Sequence, residues 1–174
     1  MLPQLGGSPA VWSTAMMFFQ VLLLLGYLYT HLSNKWLGVK RQTILHVVLL
    51  LLSLTWLPIH LYTDINYSSS EYPITWVVTS LFFSVGIPFF LLASNAPLIQ
   101  LWLANTTHKN AQNPYFLYSA SNIGSLCALL AYPALIEPTF ALSSQTYLWS
   151  AIFAVFIALI VCCAWLTRKH YRVT

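Results

Sequence analysis

Five stretches of this sequence each run for about twenty residues or more without a charged side chain. A helix of that length crosses the hydrocarbon core of a bilayer, and lipid requires every backbone group to be paired within the element. The strands of a membrane barrel would alternate polar and apolar residues, and these stretches do not. We therefore predict an all-α membrane protein, a single polytopic domain with about five transmembrane helices. They cover approximately residues 11–32, 43–62, 74–104, 115–136 and 147–167.

The composition agrees with lipid as the solvent and partner of this chain. Hydrophobic residues make up 59% of the sequence and charged residues only 6%, whereas a soluble domain carries roughly 25% charged residues. The net charge of +4 alone would fit a nucleic-acid partner. The basic residues, however, lie in short clusters between the apolar stretches, so we interpret them as topology signals and predict no nucleic-acid binding.

The charged residues divide between the two sides of a five-helix topology. One side receives all seven basic residues: Lys35, Lys40, Arg41, Lys109, Arg168, Lys169 and Arg172. The other side receives the three acids: Asp64, Glu71 and Glu137. By the positive-inside rule the basic side is cytoplasmic. The N-terminus is therefore predicted outside and the C-terminus in the cytoplasm.

The third stretch, 74–104, is too long for one upright span. Gly86, Pro88 and Pro97 interrupt it and are candidate hinges. Two alternatives remain open from the sequence. Either the stretch is one long, tilted and kinked helix, or the part after Asn95 turns along the inner interface.

The fourth stretch carries a polar face. At 100° per residue, Tyr115, Tyr118, Asn122 and Ser125 fall on one side of a helix, and small residues fall on nearly the opposite side. The small side is predicted to pack closely against another helix. The polar side is costly in lipid, so it either hydrogen-bonds to another helix or lines a substrate path.

Two further polar residues are candidates for the same cavity. Gln20 lies near the middle of the first stretch and serves either as a hydrogen-bonding contact between helices or as a cavity-lining group. Glu137 precedes Pro138 at the outer end of the fourth stretch. It is either a titrating carboxylate in a proton-coupled cycle or an interfacial charge that reaches water.

No catalytic, metal or cofactor site is predicted. The sequence contains no Gly-rich phosphate loop, no Cys-x-x-Cys pair and no Gly-x-Ser-x-Gly motif. His46, Ser53 and His60 share a seven-residue spacing, but about 21 Å of helix separates the two histidines, so they cannot share a metal. We predict that the protein is not an enzyme.

Four blocks resemble a known family: "LPQLGGSPAVW", "FFQVLLLLGYLYTHL", "PFFLLASNAPLIQ" and "PYFLYSASNIGSLCALLAYPALIEP". Together they resemble the membrane part of bacterial fused transporter/spermidine-synthase-like proteins. In that family a major-facilitator-like region precedes a cytoplasmic aminopropyltransferase-like domain. The resemblance implies an incomplete six-helix half that lacks the family's first helix and its synthase domain, with Met1 as an internal methionine.

The resemblance implies a transporter-like module for an unidentified small solute in the bacterial inner membrane. Its partners would be further transmembrane helices or a separately encoded synthase-like domain. Two alternatives are kept. One is a membrane anchor that recruits a separate enzyme without transporting anything, and the other is a truncated remnant of the fused protein.

Overall fold

The structure is a computed structural model that describes residues 9–57 and 73–171. These residues form helices and contain no strand, which confirms the all-α class for this part of the chain. Four helical segments of the described residues are long and apolar enough to cross a membrane: Pro9–Trp56, Ile74–Ala104, Tyr115–Thr139 and Ser144–Lys169. The α-helical elements are α1 (Pro9–Ser53), α2 (Pro73–Leu81), α3 (Ile87–Ala104), α4 (Tyr115–Ala131), α5 (Glu137–Thr139) and α6 (Leu142–Lys169). The number of transmembrane spans stays a prediction.

Helix α1 folds back on itself at Gly38. This glycine has φ 67° and ψ 165°, a conformation that side chains with a Cβ rarely adopt. The hydroxyl of Tyr29 lies 3.4 Å from Nδ1 of His46, although a straight helix would separate these residues by about 25 Å. We call residues 9–37 the first arm and residues 39–53 the second arm. The connection expected between the stretches 11–32 and 43–62 is thus helical, with a break at one glycine.

The second arm ends earlier than the stretch 43–62 predicts. A 3₁₀ turn, Leu54–Trp56, follows Ser53, and Leu57 is extended at φ −93° and ψ 149°. Leu57 precedes Pro58, and the residue before a proline is sterically pushed out of the helical region. Residues 58–62 lie outside the described part of the chain.

Helices α2 and α3 are joined by a π-helical turn, Phe82–Gly86, into one continuous helix that we call the central helix. The helix continues past Asn95 to Ala104, and the kinked transmembrane helix over 74–104 stays a prediction. The π turn ends two residues before Pro88, whose ring clashes with the carbonyl four residues earlier in a regular helix. Trp56 Nε1 donates a 2.7 Å hydrogen bond to the carbonyl of Phe83, which ties the second arm to this turn.

The central helix lies at the middle of the bundle. Its first half packs Trp76, Val77 and Leu81 against Phe18 and Leu22 of the first arm. Its second half forms a larger cluster with the second arm and α6: Val39, Leu50, Leu91, Leu98, Trp102, Phe153, Ile157, Ile160 and Ala164. The long central helix therefore organises the packing of both arms and of α6.

A glycine allows the closest helix crossing. A Cβ built on Gly26 would lie 3.1 Å from the backbone nitrogen of Ser94 and 3.2 Å from the Cβ of Ala93. The first arm and α3 therefore touch backbone to backbone at this point, as small residues allow at helix interfaces in membranes.

The outer helix, Tyr115–Thr139, consists of α4, a second π turn (Tyr132–Ile136) and α5. This π turn also ends two residues before a proline, Pro138. None of the residues of α4 is buried. A Cβ on Gly124 would meet no atom of the described chain within 4 Å, so the small face that the sequence predicts to be closely packed is open here.

One end of the bundle gathers the basic residues, and we call it the basic end. Lys40 Nζ lies 4.7 Å from the ring centroid of Tyr171, and the backbone N–H of Thr107 donates a 3.0 Å hydrogen bond to the carbonyl of His170. These contacts bring the Gly38 turn, the 105–114 connection and the end of α6 together. Six basic residues belong to these segments: Lys35, Lys40, Arg41, Lys109, Arg168 and Lys169.

Candidate functional site

A buried polar cluster lies where the two arms of α1 meet α3. His46 is 0% exposed and Asn95 is 4% exposed. The turn at Gly38 returns the second arm along the first and sets His46 beside Tyr29. The central helix then supplies Asn95 from the opposite side. Three segments distant in sequence thus contribute to one hydrogen-bonded group.

The imidazole of His46 is hydrogen-bonded at both nitrogens. Its Nε2 lies 3.3 Å from Oδ1 of Asn95, and its Nδ1 lies 3.4 Å from the hydroxyl of Tyr29. The amide nitrogen of Asn95 donates to the carbonyl of Leu91, which leaves the amide oxygen as the acceptor towards His46. A neutral imidazole with its proton on Nε2 satisfies both contacts, because Nδ1 then accepts from Tyr29.

A second group of polar residues continues from this cluster towards the basic end. Gln42 Nε2 donates to the carbonyl of Thr30 at 3.1 Å and to Oγ of Ser33 at 2.8 Å. The hydroxyl of Thr30 is shared between the carbonyls of Gly26, at 3.0 Å, and Ser94, at 3.3 Å. Gln42 is fully buried, and its Oε1 has no hydrogen-bond partner among the described residues.

Asn95 also borders a cavity of about 370 Å³ between the first arm, α3, α4 and α6. Its walls include Leu92, Ile99, Leu117 and Phe156. Its polar lining residues are Tyr27, Asn95, Gln100, Tyr118, Ser121 and Asn122. Hydroxyl and amide groups both donate and accept hydrogen bonds, and this lining has no charged side chain. We call this space the polar cavity.

The structure brings together two of the residues predicted for a cavity on the polar face of the fourth stretch. All four residues are exposed; Tyr118 and Asn122 line the polar cavity, and Tyr115 and Ser125 do not. Ser121 joins the lining from the same helix.

Gln20 and Glu137 lie away from the polar cavity. Gln20 is an exposed residue of the first arm, and Glu137 is an exposed residue at the start of α5. Neither one lines this space. The lining of the polar cavity therefore contains no carboxylate among the described residues, and this affects which class of solute the cavity can bind.

The three candidate hinges occupy different positions along the central helix. Gly86 closes the π turn, and Pro88 is buried in the first turn of α3. Pro97 lies within α3, which continues helically past it to Ala104. Ser94 Oγ and Asn95 Nδ2 both donate to the carbonyl of Leu91, rather than to that of Ala93, which Pro97 leaves without its helical donor.

The sequence does not identify Tyr29, Gln42 or His46 as site residues. Gln42 falls in the connection between two predicted helices, and His46 falls near a predicted helix end. A usable signal exists in the spacing of the polar residues Gln42, His46 and Ser53, all of which are buried on one side of the second arm. The seven-residue spacing of His46 and Ser53 marks this stripe, and the packing shows that it faces the bundle interior.

The described residues contain no group of three or more His, Cys, Asp or Glu side chains that could hold a metal ion. The cysteines there are unpaired: Cys127 and Cys162 are exposed and Cys163 is partly buried. His60 lies outside the described ranges.

Comparisons with models of known protein families, with curated proteins and with solved structures find no match for this chain. The resemblance to fused transporter/spermidine-synthase-like proteins therefore stays a prediction from the sequence. The fold itself supplies the class: a helical chain whose four long apolar helices are compatible with a membrane protein.

Proposed function

We propose that this chain is an integral membrane, transporter-like module whose small solute occupies the polar cavity. The observation that carries the proposal is the lining of that cavity. Amide and hydroxyl groups from several helices converge there, although the helices are otherwise apolar. Polar side chains in a membrane span are expensive, so they face a cavity or one another.

The lining favours an uncharged, hydrogen-bonding solute over a polyamine. A polyamine carries several positive charges and would need carboxylates to replace its water. The only acid of the described ranges, Glu137, lies outside the cavity. A volume of about 370 Å³ is at the small end of the roughly 300–1,000 Å³ usual for small-molecule sites.

The basic end is assigned to the cytoplasm under this proposal. Positively charged loops are retained on the cytoplasmic side of the bacterial inner membrane. The first arm then begins outside and reaches the cytoplasmic face at the Gly38 turn, and α6 ends inside. The hydrogen bond between Thr107 and His170 supports placing the 105–114 connection and the end of α6 on the same side of the membrane.

A second function, a membrane interaction module without transport, is favoured by one different observation. The outer helix is long, apolar and without a buried residue in α4. Its small face has room at Gly124 for another helix to approach closely. In that case the open face would contact a partner helix, and the polar residues would serve packing.

Uptake into proteoliposomes tests the transport proposal. Vesicles containing the full chain are compared with empty vesicles for glycerol, glucose, glutamine and spermidine. We expect at least one of the three solutes without net charge to enter faster, and we expect Asn122→Leu to reduce that uptake at least tenfold. Gln20→Leu makes a closely similar change, amide to leucine, outside the cavity and should leave uptake near the original rate.

Two results would contradict the proposal. One is uptake no faster than in empty vesicles for all three solutes without net charge, with the protein monodisperse and correctly inserted. The other is equal uptake by the original chain and the Asn122→Leu variant. Either result favours the interaction module.

A further inference from the structure

A second, larger cavity lies at the basic end. Its volume is about 710 Å³, and it is an open cleft bordered by the end of α3, the 105–114 connection, the start of α4 and the end of α6. We call it the basic-end cavity. It shares Ile99 and Leu117 with the polar cavity, but the polar groups that line it are different.

This cavity is amphipathic along its length. Leu103, Phe116, Leu117 and Leu166 form apolar walls between the helices. The connection and the end of α6 contribute the polar side: Thr106, Thr107, His108, Lys109 and His170. An occupant of this space needs a hydrocarbon part between helices and a polar part at the end of the bundle.

The charge of the polar side calls for an anion. Lys109 lines the cavity. Arg168 and Lys169 precede the lining residue His170 in the chain but do not line the cavity themselves, and Lys169 Nζ lies 5.1 Å from the ring centroid of Trp165. The only carboxylate in residues 9–57 and 73–171 is Glu137. It lies about 33 Å along the outer helix from Tyr115, the residue at which that helix begins at the basic end. The described chain therefore supplies these cations with no neighbouring acid.

Two neutral hydrogen-bond donors belong to the lining residues. The backbone N–H of Asn110 donates to Nδ1 of His108 at 3.2 Å, so a neutral His108 carries its proton on Nε2, as a donor. Trp102 lines the cavity, is 1% exposed, and has an indole N–H with no hydrogen-bond partner among the described residues. A buried donor without a partner is unusual in a folded protein.

We propose that the basic-end cavity binds an anionic phospholipid. The phosphate lies at Lys109 and His108, and part of one acyl chain lies between α3, α4 and α6. Basic pockets between transmembrane helices on the cytoplasmic side are suited to acidic headgroups. The inference rests on the membrane insertion and orientation given under the proposed function, but it does not require transport.

Lipid retention by the purified full chain tests the inference. The protein is incubated in detergent with phosphatidylglycerol or phosphatidylcholine, and the bound lipid is measured by native mass spectrometry. We expect phosphatidylglycerol to be retained preferentially. The variant Lys109→Gln removes one lysine near the phosphate and should weaken the binding of phosphatidylglycerol about fivefold. Lys35→Gln removes the same charge from the same end outside the cavity and should leave retention unchanged.

A second pair of variants tests the acyl part. Cys163→Phe fills the cavity from α6, whereas Cys162→Phe places the same ring on the neighbouring exposed position. Only Cys163→Phe should lose the lipid. Because Lys109 is exposed, its variant remains decisive if Cys163→Phe does not fold.

Three outcomes would overturn the inference. The first is equal retention of the two lipids, which would indicate a purely apolar contact. The second is an equal loss in Lys109→Gln and Lys35→Gln, which would indicate a diffuse surface charge. The third is that glycerol phosphate competes with bound phosphatidylglycerol as effectively as free phosphatidylglycerol does, which would indicate a site for a soluble anion. None of these outcomes depends on solute uptake, so this failure is separable from failure of the transport proposal.

Discussion

His46 holds the two arms of α1 and the central helix together at the scale of one residue. Its two ring nitrogens contact Tyr29 and Asn95, and its ring meets the edge of Trp102 at a centroid distance of 6.2 Å. A buried imidazole with both nitrogens paired is a strongly constrained group, because loss of either partner leaves a polar atom unpaired.

Replacing His46 should therefore destabilise the fold. In His46→Leu the amide oxygen of Asn95 loses its donor while remaining buried. The expected cost is about 1–3 kcal/mol in the free energy of unfolding. The measurement is reversible unfolding by sodium dodecyl sulfate in mixed micelles. His31→Leu, at an exposed position of the first arm, is the control, and equal stability of the two variants would contradict the assigned hydrogen bonds.

Individual polar residues are harder to place from sequence than whole helices. Gln20 and His46 both lie within uncharged helical stretches, yet Gln20 is exposed and His46 is fully buried. A helix that is apolar on nearly all sides has no contrast between a polar and an apolar face to show which side points inward. The inward side is then decided by contacts with distant helices, which no local pattern contains.

At the scale of elements, the sequence reveals one of two irregularities in the helices and misses the other. Gly86 and Pro88 mark the π turn of the central helix, so the predicted interruption coincides with a real irregularity. The sequence does not single out Gly38, although this residue reverses α1. It stands between Leu37 and Val39 in a segment that also carries Lys40 and Arg41, and such a mixture of apolar and charged residues fits a loop or a helix equally well. Only the backbone conformation reveals the difference.

Two glycines on different helices provide a matched test of packing. Gly26 lies against Ala93 and Ser94, whereas Gly124 has open space around it. Valine at either position has the same intrinsic helix propensity, so the comparison isolates the crossing of the first arm with α3. Gly26→Val should lower the free energy of unfolding by about 1–3 kcal/mol more than Gly124→Val, because overpacking forces the helices apart.

Thermal unfolding of both variants in detergent checks this difference. A Gly26→Val variant as stable as Gly124→Val would contradict the close crossing. A Gly124→Val variant that unfolds normally but no longer associates in a bilayer would instead identify the small face as a contact between molecules.

At the scale of the whole molecule, the proposed orientation places the two ends of the outer helix on opposite sides of the membrane. Lys109 precedes this helix at the basic end, and Glu137 lies near its other end. In a background without native cysteines, Lys109→Cys should react with an impermeant thiol reagent in inverted vesicles. Glu137→Cys should react in right-side-out vesicles. Labelling of both from the same side would contradict a spanning outer helix.

The polar cavity is also a property of the whole molecule. The spacing predicts Asn122 on a polar face, but its companions Tyr27 and Gln100 come from the first arm and α3. The sequence indicates that such a face needs a polar neighbour. It does not identify which helix provides it, because that depends on the turn at Gly38 and the crossing at Gly26.

Water access to Asn122 tests the central claim most directly. In a cysteine-free background within nanodiscs, Asn122→Cys and Ala120→Cys are compared for reaction with a charged thiol reagent that requires water. Ala120 is exposed on nearly the opposite face of the same helix. If the polar cavity is a hydrated solute site, Asn122→Cys reacts at least tenfold faster. Equal slow reaction at both positions would show that the polar face is dry and would contradict the proposed site.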